Sequence, residues 1–80
     1  MTVKQMVVKR FKDILSEKNM AINELAVISG VTPSTVYSMM QSNRNDISIS
    51  TIKKLCDGLE ITLGDFFSTP EFDNLEQEIK

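Results

Sequence analysis

The stretch Ile22–Gln41 constrains the fold more than any other part of the chain. Glu24-Leu25-Ala26-Val27-Ile28-Ser29 reads as one short helix. Gly30 follows where a left-handed residue is needed to end it, a conformation glycine reaches without a Cβ clash. Thr32 is placed to supply an N-cap hydroxyl, and Pro33 at the next helix's first position has its φ preset and no hydrogen bond to miss. Ala26 is small where two steeply crossing helices come closest, while Leu25, Val31, Val36 and Met39 point to a shared core. The outer side of the second helix, about residues 33–41, keeps only Ser34, Thr35, Tyr37, Ser38 and Gln41, all capable of hydrogen bonding. Two helices joined by a tight turn, the second with a polar face, make the shape that enters a DNA major groove.

The flanking segments extend the pattern. A first helix is expected from about Val3 to Lys18, with Met6, Val7, Phe11, Ile14, Leu15 and the stem of Lys18 at helical spacing. Asn19 stands where that helix needs a left-handed residue. Ala21 occupies the next N-cap without a side-chain acceptor, a loss of about 1 kcal/mol unless Asn23 or water compensates. Ser48 is expected to cap a fourth helix carrying Ile49, Ile52, Leu55, Cys56 and Leu59 in one stripe, and Glu60 sits at its end, giving either a small strain or a different ending. Thr62 with Asp65 resembles a capping box opening a short fifth helix that ends at Phe66-Phe67.

Taken in order, Arg10-Phe11-Lys12-Asp13-Ile14, Glu24-Leu25-Ala26, Gly30-Val31-Thr32, Thr35-Val36, Ser48 to Leu59 and Leu63-Gly64-Asp65-Phe66-Phe67 resemble the Cro and phage-repressor (XRE) family of bacterial helix-turn-helix regulators. The resemblance covers roughly residues 6–67. It implies an all-α, five-helix, lambda-repressor-like DNA-binding domain over 1–67, with the motif at about 22–41. Residues 68–80 then form an acidic tail or a short extra helix, in which Phe72, Leu75 and Ile79 recur on one side. By the same resemblance the chain is a sequence-specific, repressor-like transcriptional regulator that acts on double-stranded DNA as a homodimer, with two recognition helices about one DNA turn apart.

Site residues follow from the resemblance and from side-chain chemistry together. Base reading falls to Pro33, Ser34 and Ser38, with Tyr37 either covering the junction after the helix or meeting a phosphate or thymine methyl. Phosphate contacts fall to Asn23, Thr32, Thr35, Gln41, Asn43, Arg44 and Asn45. Hydroxyls discriminate bases less sharply than bidentate Arg, Asn or Gln side chains do. The family commonly pairs an arginine late in its first helix with a glutamate after the recognition helix; those positions here are Leu15 and Met40. Both replacements are apolar, which suggests that the two side chains touch.

Composition bounds the function. Eighty residues suffice for one core. With no histidine and a single cysteine, neither a zinc site nor an internal disulfide is expected, and Cys56 reads as a buried thiol. No cofactor and no small-molecule ligand are expected. An enzyme is not expected, since no acid–base constellation or phosphate-cradling glycine loop is present. No long apolar run suggests a membrane segment, and the expected location is cytoplasmic. Net charge is −2, unusual for a DNA binder. The acidity is concentrated at one end: Glu71, Asp73, Glu76 and Glu78 against Lys80 make 68–80 net −3, whereas the part up to Phe67 is +1. An antitoxin-like or adaptor module using the same fold is the alternative reading.

Overall fold

The computed structural model describes residues 1–41 and 46–79. Six helices follow one another, α1 (Val3–Lys18), α2 (Ile22–Ser29), α3 (Pro33–Met39), α4 (Ile49–Gly58), α5 (Leu63–Phe67) and α6 (Pro70–Asp73), with no strand among the described residues. The five expected helices are present, and a single turn, α6, is added to them.

The same chemistry closes α1, α2 and α4. Asn19, Gly30 and Glu60 are left-handed, with φ of 53°, 69° and 59°. In each case two backbone bonds of the Schellman type close the end. Met20 N donates to Leu15 O (2.9 Å) and Asn19 N to Ser16 O (3.2 Å); Val31 N donates to Ala26 O (3.0 Å) and Gly30 N to Val27 O (3.3 Å). Ile61 N donates to Cys56 O (3.0 Å) and Glu60 N to Asp57 O (3.1 Å). The residue after each left-handed one, Met20, Val31 or Ile61, packs on the core, the hydrophobic contact that accompanies this motif. Glu60 therefore ends α4 in the glycine manner, with strain, rather than in a different way.

N-termini depart from expectation in detail. Ser48 accepts from Thr51 N (3.1 Å) and Thr62 from Asp65 N (3.0 Å), as their positions suggest. At α2, Ala21 offers no side-chain acceptor to the first turn, but its own N–H donates to Glu24 Oε1 at 3.2 Å, the returning half of a capping box. Thr32 is the N-cap of α3 by backbone conformation, but its hydroxyl does not bond the helix backbone. It pairs with the Thr35 hydroxyl at 2.7 Å instead. At α1, Thr2 and Gln5 form a full capping box.

Phe11, Leu25, Val36, Leu55, Cys56 and Phe66 are fully buried, so each of α1 to α5 contributes to one core. The buried face of α1 is wider than its expected stripe, taking in Val8 and Lys4, whereas Lys18 as a whole is exposed. α2 packs against both α3 and α4. The α2–α4 approach is close: a Cβ on Gly58 would come within 2.1 Å of Ser29 Oγ and 3.3 Å of Ile28 Cγ1. A larger residue there would have to displace the Ser29 and Ile28 side chains. Four phenylalanines tie the C-terminal part to α1. Phe66 stacks at 4.4 Å on Phe11, and Phe72 lies 4.9 Å from Phe67 and 6.0 Å from Phe66. Phe72 thus carries the tail onto the core. Ile79 stays almost wholly exposed, so the expected Phe72–Leu75–Ile79 stripe does not form. Glu78 nevertheless returns to α1, where its Oε2 accepts from Val3 N at 2.9 Å. It brings a negative charge to a helix start whose own first turn has none.

Candidate nucleic-acid interface

Gly30, Val31 and Thr32 separate α2 from α3, and Leu25, Ala26, Val36 and Met39 bury the surfaces the two helices share with the core. Burying Val36 and Met39 determines which way the rest of a seven-residue helix must look. Ser34, Thr35, Tyr37 and Ser38 are all exposed, as is Pro33 at its start. Tyr37 keeps 49% of its surface in solvent. Thr35 and Ser38 line a shallow depression with Asp46, Ser48 and Thr51, placing the start of α4 beside the polar face of α3. The helix ends at Met39, earlier than residue 41; Met40 is its C-cap and is buried, and Gln41 is exposed just beyond.

The structure thus brings Pro33, Ser34, Thr35, Tyr37 and Ser38 onto one exposed surface, with Thr32 at its edge and Asn23 exposed near the start of α2. Thr32 and Thr35 bond to each other, which leaves the pair one hydroxyl proton for an outside acceptor. Asn43, Arg44 and Asn45 lie outside the described residues.

Of the basic side chains of α1, Arg10 is held across the fold. Arg10 donates from Nε to Phe66 O (3.0 Å) and from Nη2 to Asp65 O (3.2 Å), with its guanidinium 5.8 Å from the Phe66 ring centre. This arginine holds α5 onto α1. Lys9 bonds Asp13 and Lys53 bonds Asp57, each one helical turn away. The Asp13 bond holds the Lys9 amine above its usual pKa. Lys12, Lys18 and Lys54 are exposed. Sequence reasoning missed the roles of Lys4 and Arg10, because both act across the fold on backbone carbonyls, which leave no mark on residue type.

A family model for the Cro/C1-type helix-turn-helix DNA-binding domain matches residues 10–71. The chain belongs to that family. Its fold is also that of the crystal structure of the prophage Lp1 protein 11, with a TM-score of 0.81 and 30% identity over 92% of this chain and 97% of that one. No curated protein matches the chain. As a Cro/C1-type domain, the protein is a helix-turn-helix DNA-binding regulator. Among the described residues no helix is long and apolar enough to cross a membrane.

Proposed function

We propose that this Cro/C1-type domain is a sequence-specific, repressor-like regulator that inserts α3 into the major groove as one half of a homodimer. The observation that carries the reading is the division of α3 itself: Val36 and Met39 are buried, and every polar residue of the helix is exposed beside the turn. Pro33, Ser34, Tyr37 and Ser38 meet base edges. Asn23, Thr32, Thr35 and Gln41 meet phosphates, together with Asn43, Arg44 and Asn45 on sequence grounds. The mechanism is occupancy: the bound dimer excludes or positions polymerase in the cytoplasm. The DNA-binding unit is residues 1–67, with 68–80 an appendage that docks through Phe72.

Two consequences follow from the residues on that face. Hydroxyl readers discriminate bases by less than the roughly 1–3 kcal/mol of a bidentate pair, so the preference for an operator rests on several small contributions. With Lys4 and Arg10 held on backbone carbonyls and a net charge of −2, few phosphates are neutralised and the salt dependence is shallow.

Selection of bound fragments from a random duplex pool tests the reading. A two-fold symmetric consensus is expected, with Ser34→Ala and Ser38→Ala altering preference at one position in each half-site. Arg44→Ala should weaken all duplexes alike and reduce the salt slope by about one. If no consensus is enriched, binding does not depend on salt and Arg44→Ala has no effect, the antitoxin-like or adaptor reading replaces this one.

A further inference from the structure

We infer that Lys4, at the start of α1, is a positioning residue that holds the far end of the DNA-reading helix. Lys4 is the one charged side chain in the core among the described residues, only 7% exposed. Its Nζ donates to the backbone carbonyl of Gln41, thirty-seven residues away and two positions beyond the last residue of α3.

The end of α3 offers a carbonyl suited to such a contact. α1, α2 and α4 each close with a left-handed residue and a pair of backbone bonds. Up to Gln41, α3 has no left-handed residue; its C-cap, Met40, is right-handed (φ −76°, ψ −10°), as Leu59 of α4 is, and its last turn carries no basic residue. Carbonyls at a helix end lack intrahelical donors and carry partial negative charge, so they favour a cation. Lys4 supplies that cation from another helix, as a charge-assisted hydrogen bond. Asp46 and Glu78 line the same groove, so the ammonium is not buried without counter-charge. The other end of α3 is held by Pro33 and the Gly30 turn. With Lys4 in place, both ends of a two-turn helix are anchored, and Ser34 and Ser38 are presented at a defined height and tilt.

The effect on DNA rests on the reading of α3 given under Proposed function; the clamp itself does not. Lys4→Met keeps the apolar stem and removes the charge, and Lys4→Gln is made beside it in case the apolar variant fails to fold. Lys4→Arg preserves a cationic donor. Amide hydrogen exchange on free protein reads the clamp. Met40 N and Gln41 N, bonded to Val36 O (3.1 Å) and Ser38 O (3.2 Å), should exchange at least tenfold faster in the neutral variants, while the Phe66 amide in α5 stays unchanged. Binding to a pool-selected duplex and to a scrambled duplex of equal length reads the consequence. The ratio of the two affinities should fall severalfold in Lys4→Met and recover in Lys4→Arg, with the salt slope unchanged because Lys4 meets no phosphate.

Unaltered exchange at Met40 and Gln41 would overturn the clamp whatever the DNA data show. A salt slope lower by about one would make Lys4 a phosphate contact instead. Faster exchange with an unaltered affinity ratio would remove its role in recognition. If the unaltered protein itself failed to discriminate the two duplexes, the DNA reading of α3 would fall and the clamp would stand.

Discussion

At the scale of single residues, the left-handed positions give the sharpest expectation. Asn19, Gly30 and Glu60 occupy equivalent places in three equivalent helix ends, with φ between 53° and 69°. Asparagine tolerates this conformation and glycine adopts it freely, but glutamate is held there against a Cβ clash of roughly 1–2 kcal/mol. Glu60→Gly should therefore raise stability by about 0.5–1 kcal/mol, the gain being reduced by the greater freedom of glycine in the unfolded chain. Urea unfolding midpoints check this, and a lowered midpoint would mean that Glu60 makes a compensating contact. Cys56 gives a pH expectation. Burial, and secondarily the Asp57 carboxylate, push its thiol above the ordinary value of 9.0. The folded form holds the proton more tightly than the unfolded one, so this contribution is complete below about pH 9 and is lost as pH rises through the folded value. The stability of the native protein should decline through that window more steeply than that of Cys56→Ser, and a thiol reagent should label Cys56 at the unfolding rate.

At the scale of elements, Leu15 of α1 and Met40 at the end of α3 give a coupled expectation. Leu15 and Met40 are 5% and 7% exposed within one apolar cluster, at positions where the family commonly places an arginine and a glutamate. An uncompensated charge in such a place costs about 3–5 kcal/mol, whereas a buried ion pair and an apolar pair of similar volume can be close to equal. Met40→Glu is expected to destabilise by about 3 kcal/mol, and Leu15→Arg added to it should recover much of that loss. Thermal unfolding of the two single variants and the double variant measures the coupling; additive effects would show that the side chains do not meet. Nearer the start of α1, Lys4 adds a polar bond to Gln41 O, just beyond α3.

At the scale of the whole molecule, the acidic C-terminal part is docked by an aromatic contact and a carboxylate. Phe72 meets Phe66 and Phe67, and Glu78 meets the start of α1. Phe72 is only partly buried, so Phe72→Ala should cost about 1–2 kcal/mol, less than the roughly 3–5 kcal/mol of a fully buried ring. Calorimetric unfolding should still show a single transition, because α6 adds to the core built by α1 to α5 rather than forming one of its own. A separate low-temperature transition that leaves the main one unmoved would show that the tail is not coupled to the core.

Much of this was legible in the residues themselves. Local chemistry determined the helix order, the Gly30 and Asn19 endings, the Ser48 and Thr62 caps, the buried Cys56 and the exposed side of α3, because caps, left-handed turns and apolar periodicity act over four residues or fewer. The ending at Glu60 was half legible: its position marked a helix end, but only the backbone showed that glutamate accepts the strain. The tertiary structure alone decided that Lys4 is buried against Gln41 O, that Arg10 holds the α5 carbonyls, that Glu24 serves Ala21 N, and that Glu78 returns to Val3. Three of these four join residues 37 to 75 positions apart, and all four end on backbone groups. Every residue type carries such groups, so no pattern of side chains can announce where a distant charge will find one.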